Sequence, residues 1–232
     1  MTKRSLIFLL FNLVVVGSLQ AQGSRAGKVS WARLKTEYRF WNRHSSAEPV
    51  ILKFIHDHTN LDIEDTWKAA DINHLEQLVT YPFLYSEGIH TVKDPLHLRN
   101  LQEYLKRGGF LVIDSCINPE VTENPDVFVR DQIRLLNRLL PGAKTKRLPK
   151  DHSVYSIFFT IEGGAPHSFN DSVYDPEWAK HGLYAVFYED SPVAVVSVSG
   201  MKCGWAGFMT WPGHDVLSCQ MILNIYIWAM TQ

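Results

Sequence analysis

The feature that most constrains the fold is a regular succession of strand and helix patterns in the middle of the chain. The aromatic run at 81–85 predicts a buried strand, and leucines at helical spacing after Asp94-Pro95 predict a helix that Gly108-Gly109 ends. The apolar run at 110–113 predicts the next strand, and a second helical pattern covers 125–140. Strand, helix, strand, helix is the pattern of a parallel sheet covered on both faces. We therefore expect an α/β fold.

The last third of the chain has a different pattern. Residues 184–188 and 193–198 are apolar and flank Glu189-Asp190-Ser191-Pro192, which predicts a β-hairpin. A long polar loop at 163–182 precedes the hairpin, and the apolar stretch at 216–230 predicts a packed terminal helix. A loop of this length in a compact domain is usually a lid, a binding loop or a mobile segment.

The N-terminus indicates export. Lys3 and Arg4 precede an apolar run at 6–16, and residues 17–21 resemble a cleavage region. The run is too short for a stable spanning helix and fits a signal peptide, which we place at 1–21. The mature protein is then expected in the bacterial periplasm or outside the cell, with no membrane span after cleavage. An uncleaved anchor is the alternative.

Length and charge limit the function classes. The chain has 232 residues, which suits one globular domain, and we place that domain at 30–232. The 23 Lys and Arg residues of the whole chain nearly balance its 24 Asp and Glu residues. A nucleic-acid-binding protein normally has a basic surface, so we expect no nucleic-acid partner.

The cysteines and histidines form no recognisable metal-binding pattern. Cys116, Cys203 and Cys219 contain no C-x-x-C pair, and His56 and His58 are two residues apart at the end of a predicted helix. We expect neither a metal nor a cofactor. The disulfide pairing cannot be deduced from the spacing, and a bond between Cys116 and Cys203 is one possibility.

Several short segments occur in an order and spacing typical of one bacterial family: Ala32-Arg33-Leu34-Lys35, Tyr81-Pro82-Phe83-Leu84-Tyr85, Gly108-Gly109-Phe110-Leu111, Asp151-His152, Lys202-Cys203-Gly204-Trp205 and Asn224-Ile225-Tyr226. Together they resemble DUF4159, a domain of unknown function that is distantly similar to class I glutamine amidotransferase-like and ThuA-like proteins. The resemblance covers nearly all of the chain after residue 30. It implies a flavodoxin-like three-layer α/β/α sandwich, with the hairpin and the long loop as additions in the C-terminal third.

The resemblance also bears on catalysis. It implies that Asp114 occupies the strand end where amidotransferases have a cysteine nucleophile, with Cys116 two residues later. Residues 113–118 lack the glycines that a nucleophile turn needs, so we do not expect glutaminase activity. A hydrolase-like enzyme would instead use Asp114, Cys116 and His152 as catalytic candidates, with His152 or His214 as the base.

Ligands of open α/β sheets bind at the carboxyl ends of the strands. The candidate ligand-binding residues lie at such ends or in the matching segments: Tyr85, Ser86, Glu87, Asp114, Ser115, Asp151, His152 and Trp205. Each has a structural alternative: Asp114 could cap a backbone turn, Asp151-His152 could be a turn before a strand, and the aromatic rings could pack in the core.

We expect a ligand-binding or envelope-associated interaction domain rather than an enzyme. Its partner would be a small molecule or carbohydrate, or an envelope protein. The alternative function is a hydrolase-like enzyme that acts on a carbohydrate or a related small molecule.

Overall fold

The computed structural model confirms the predicted α/β class. It describes residues 28–115, 124–167, 180–208 and 210–232. Within them a seven-stranded sheet is covered by helices, consistent with a three-layer α/β sandwich. The predicted signal peptide, Cys116 and residues 168–179 of the predicted long loop lie outside the described residues.

The strands have four to seven residues each, and the helices are of very different lengths. The strands are β1 (Ala32–Lys35), β2 (Lys68–Asp71), β3 (Phe83–Ser86), β4 (Phe110–Asp114), β5 (Lys144–Arg147), β6 (Leu183–Tyr188) and β7 (Ser191–Ser197). The α-helices are α1 (Glu48–His58), α2 (Leu75–Leu78), α3 (Pro95–Lys106), α4 (Pro125–Leu139), α5 (Met201–Trp205) and α6 (His214–Met230). A 3₁₀ helix at Ser45–Ala47 leads into α1, and another lies at Ser153–Tyr155.

The sheet order is β2-β1-β3-β4-β7-β6-β5. The five strands from β2 to β7 pair in parallel, whereas β6 is antiparallel to both β7 and β5. The strand order changes direction between β1 and β3, and in open sheets ligands bind at such a switch point.

The predicted hairpin is confirmed as β6 and β7. Its turn residues Glu189 and Asp190 both have positive φ, 49° and 65°, which suits a two-residue hairpin turn. The second strand begins two residues earlier than expected, so that Pro192 lies inside it. Pro192 is opposite Phe187 at a shift in register, where a missing N–H is tolerated.

Helix starts follow local capping signals. The Asp94 carboxylate accepts hydrogen bonds from the backbone of Leu96 and His97, and Pro95 fills the first turn of α3. Asn124 caps α4 in the same way, ahead of Pro125. Both helices therefore begin where the sequence predicts.

The sheet separates two apolar cores. Residues from α3 and α4 pack on one face, and residues from α1 and α6 pack on the other. Neighbouring strand residues alternate between these faces, as a pleated strand requires. No helix among the described residues is both long and apolar enough to cross a membrane.

Gly109 is required by a close aromatic contact. A Cβ atom added there would lie 2.3 Å from the ring of Tyr104, which is buried and donates a hydrogen bond to the Phe110 carbonyl. We expect Gly109→Ala to lower the free energy of unfolding by about 1–3 kcal/mol through overpacking, measured by urea denaturation. In a Tyr104→Leu background, which makes room, the same substitution should cost clearly less. An equal cost in both backgrounds would contradict this explanation.

Candidate functional site

The candidate site lies at the carboxyl ends of the central strands. Ala32 and Leu34 pack in the core on the α3/α4 side, so the residue between them, Arg33, faces α1 and α6. Tyr85 on β3 also faces α1 and α6, because the preceding residue, Leu84, packs on the α3/α4 side. Asp114 on β4 faces the same way, because Ile113 before it packs on the α3/α4 side. The sheet thus brings a cation, a phenol and a carboxyl to one face.

Arg33 is the centre of a buried ion network. Its Nη2 lies 3.0 Å from Oε1 of Glu87, and its Nη1 lies 3.3 Å from Oε1 of Glu48. Nη1 also donates to the Arg43 carbonyl at 2.8 Å. The side chains of Arg33, Glu48 and Glu87 are 0 % exposed, so water does not solvate these charges.

Glu48 connects Arg33 to a second cation. This first residue of α1 accepts a hydrogen bond from Trp31 Nε1 at 2.9 Å and another from Lys202 Nζ. Lys202 lies on α5, is fully buried, and has its Nζ 5.1 Å from the centre of the Trp205 ring. The network therefore ties α1, β1, the turn after β3 and α5 together.

Asp114 extends the site to β4. Its Oδ2 accepts a hydrogen bond from the Tyr85 hydroxyl at 3.2 Å, and its Oδ1 accepts one from the Gly200 amide at 3.2 Å. Asp114 thus does bind backbone N–H, but at the start of α5 rather than in the segment that follows β4.

Three aromatic rings seal the network. Trp31, Tyr85 and Trp205 contact one another, with ring centres 5.4–6.4 Å apart. All three rings are buried. They exclude water, and so they strengthen the electrostatic interactions beside them.

Burial shifts the protonation of the site. It contains three carboxyls (Glu48, Glu87 and Asp114) and two cations. Desolvation raises the pKa of Glu87 to about 8, although Arg33 and Lys202 oppose the shift. Desolvation likewise raises the pKa of Asp114 to about 6 and lowers the pKa of Lys202 to about 8. A carboxyl in this site therefore retains a proton at neutral pH.

Several buried polar atoms at the site lack a hydrogen-bond partner in the described part of the chain: Arg33 Nε, Glu87 Oε2, Ser199 Oγ and Trp205 Nε1. Buried polar groups are normally paired, so these atoms mark a region that can form further hydrogen bonds, with Arg33 Nε and Trp205 Nε1 as donors. Within the described ranges, no group of three or more His, Cys, Asp or Glu side chains is arranged to hold a metal ion.

Of the predicted ligand-binding residues, Tyr85, Glu87, Asp114 and Trp205 meet in this network or its aromatic seal. Ser86 is buried but bonds locally, because its hydroxyl interacts with the backbone of Gly88. Ser115 is also buried, and its backbone amide donates to the Ser197 carbonyl.

The structure does not bring Asp151 and His152 to this site. His152 caps the 3₁₀ helix at Ser153–Tyr155 and packs its ring against Trp228, 5.6 Å away. Trp228 also contacts Phe110, at the opposite end of β4 from Asp114. Four residues of strand separate those ends by about 13 Å, so His152 cannot act as a base for Asp114.

The cysteines offer no nucleophile among the described residues. Cys203 is disulfide-bonded, and Cys219 is a buried free thiol whose pKa desolvation raises to about 12. A thiol with such a pKa is unreactive at neutral pH. Cys116, the catalytic candidate, lies outside the described residues. His214, the other candidate base, bonds the carbonyl of His167.

Sequence reasoning missed Arg33, Glu48 and Lys202 as members of the site. A signal was present for two of them: Arg33 alternates with core residues on a central strand, and Lys202 stands among small and apolar residues. Glu48 resembles an ordinary acidic residue in a first helical turn, which gives no hint of burial.

Residues 30–230 match the model of a family described as "Domain of unknown function (DUF4159)". No curated protein matches the chain.

The buried pairing of Arg33 predicts a large stability effect. We expect Arg33→Met to lower the free energy of unfolding by about 3–5 kcal/mol, because it removes the cation that pairs with Glu48 and the hydrogen bond that Glu87 accepts, and leaves both buried carboxyl groups without these partners. Lys35→Met on the same strand removes a partly exposed pair with Asp71 and should cost less than about 1 kcal/mol. Urea denaturation of both variants checks the difference, and similar costs would mean that the network is not a significant constraint.

The raised pKa of Glu87 predicts that stability falls as pH rises. Between pH 4.5 and about 8 the folded protein holds a proton that the unfolded chain has released. The contribution of this proton to the free energy of unfolding is fully present below pH 4.5. It is lost as the pH rises to about 8, by up to about 1.4 kcal/mol per pH unit. Glu87→Gln should flatten this dependence in thermal melts, whereas Glu76→Gln at an exposed position should not. A wild-type stability that rises across the window would contradict the assignment.

Proposed function

This chain belongs to the DUF4159 family, and we propose that it is an exported domain that binds a small polar molecule and does not hydrolyse glutamine. The observation that carries the proposal is the fully buried network of Arg33, Glu48 and Lys202 at the carboxyl ends of the central strands. Ligands of open α/β sheets bind in this position.

The network is costly as a purely stabilising device. Apolar residues of similar size often replace a buried ion pair without loss of stability, so its presence favours another role. Here the charges hold the loop between β1 and α1, the turn after β3, and α5 in fixed positions. Fixed loop ends reduce the entropy lost on ligand binding.

A rim of aromatic and basic side chains adjoins the network. The Arg43 carbonyl accepts from Arg33, which joins the rim to the ion pairs. The ring of His44 lies 5.2 Å from that of Phe208, and the Arg43 guanidinium lies 5.3 Å from the ring of Phe40. Phe208 is the exposed ring of this rim, whereas Phe40 and His44 are half-buried. An exposed ring beside donor groups suits a sugar or a small carboxylic acid.

The strand end itself argues against glutaminase chemistry. A buried carboxyl, Asp114, occupies it, bonded to Tyr85 and Gly200. The histidine proposed as a base, His152, packs on Trp228 near Phe110, at the opposite end of β4 from Asp114. These placements favour a binding role over the hydrolase-like alternative.

We also propose a flavodoxin-like fold and an extracytoplasmic location for this chain. The partial order β2-β1-β3-β4 agrees with a flavodoxin-like arrangement. The apolar run at 6–16 and the disulfide-bonded Cys203 both agree with an oxidising, extracytoplasmic location.

A binding screen tests the function. We expect members of a panel of monosaccharides, amino sugars and dicarboxylic acids to raise the melting temperature of the mature protein. Phe208→Ala, which removes an exposed rim ring, should weaken the binding of any such ligand at least about tenfold. Phe158→Ala removes a similarly exposed ring away from the rim and serves as the matched control.

Two results would count against the proposal. One is a ligand whose affinity is unchanged by Phe208→Ala, because binding would then occur elsewhere. The other is ammonia release from glutamine that Cys116→Ser abolishes, because the protein would then be a glutaminase.

A further inference from the structure

A groove of about 260 Å³ lies on the α3/α4 side of the sheet, away from the ion network. Its lining comes from the turn after β3 and from α4: His90, Asp131, Arg134, Leu135 and Arg138. We propose that this groove binds a small oxyanion, a carboxylate or phosphate group, through Arg134, Arg138 and the Nε2–H of His90.

The hydrogen bonds around His90 fix its tautomer. The backbone amide of Ile89 donates to Gln132 Oε1 at 2.8 Å, which identifies that atom as the carbonyl oxygen of the side chain. The NH₂ group of Gln132 therefore points away from Ile89 N and toward His90. That NH₂ group lies 2.6 Å from His90 Nδ1, which therefore accepts. The neutral ring then has its proton on Nε2. No described residue accepts a hydrogen bond from that atom.

The ring of His90 is also held in place by packing. The rings of Tyr38 and Phe128 contact it edge to face, at 5.4 and 5.8 Å. Gly88 has a φ of +151°, and a Cβ there would lie 3.2 Å from His90 Nδ1. A side chain at that position would push on the ring, so the turn keeps the donor where it is.

The arginines give the groove a positive charge. Arg134 and Arg138 are four residues apart and so lie on one side of α4. Asp131 pairs with Arg134 and with Arg130, at 3.4 and 3.0 Å through the same oxygen. Arg138 has no carboxylate within ion-pair distance among the described residues. The groove thus has two guanidinium groups, of Arg134 and Arg138, and one carboxylate, of Asp131, which also pairs with Arg130.

This combination selects the chemistry of the ligand. A guanidinium group matches the planar oxygens of a carboxylate or the oxygens of a phosphate, and a neutral imidazole N–H adds a directional donor. The groove is smaller than the usual site for a drug-sized ligand, so the bound molecule is a single phosphate or a short carboxylic acid.

Titration with inorganic phosphate and, separately, with succinate tests the site at constant ionic strength, with chloride as the balancing salt. We expect saturable amide shifts around His90 and α4 in ¹H–¹⁵N spectra, with a Kd of about 1 mM for at least one probe. Arg138→Gln should weaken that binding at least about tenfold. Arg99→Gln on α3 is exposed, lies outside the groove and makes the same charge change, so it should leave binding within about twofold.

The two probes separate the sources of the oxyanion. Binding of phosphate alone would assign the groove to phosphorylated molecules, and binding of succinate would assign it to carboxylic acids. The proposal fails if neither probe gives saturable shifts. It also fails if Arg99→Gln weakens binding as much as Arg138→Gln does, because the effect would then be general charge attraction.

Discussion

The pairing of the Arg33 guanidinium with the carboxyl groups of Glu48 and Glu87 is the interaction on which the carboxyl ends of the central strands depend. A charge without access to water is unfavourable unless opposite charges and hydrogen bonds compensate it. Glu48, Glu87 and the Arg43 carbonyl supply that compensation from three separate segments. The loops that surround a potential ligand are therefore positioned by one strand residue.

The surrounding aromatic rings determine how these charges behave. Trp31, Tyr85 and Trp205 exclude water from the network, and the same desolvation raises the pKa of Glu87 and lowers the pKa of Lys202. An apolar enclosure thus makes the ion pairs strong and keeps a proton among them near neutral pH. A ligand that brought its own charge would change this proton balance, which couples binding to protonation.

The turn after β3 connects the two proposed binding regions. Glu87 points to Arg33 on the α1/α6 face, whereas His90, three residues later, contacts Gln132 on the α3/α4 face. Gly88 allows the chain to reverse between them without a side chain that would collide with the His90 ring. One short turn therefore contributes to both proposed binding regions, one beside buried ion pairs and the other beside exposed arginines.

The sequence alone was sufficient for the α/β class, the starts of α3 and α4 and the hairpin, because caps, glycines and apolar runs act over a few neighbouring residues. It also identified the family, and Glu87 and Asp114 as strand-end carboxyls. It did not reveal the network, since Glu48 and Lys202 are 154 positions apart and meet only because the helices of one face pack together. It also grouped His152 with Asp114, whereas packing on Trp228 places His152 at the opposite end of β4. Local order is encoded in neighbouring residues, but burial and distance between remote residues follow from strand order and helix packing.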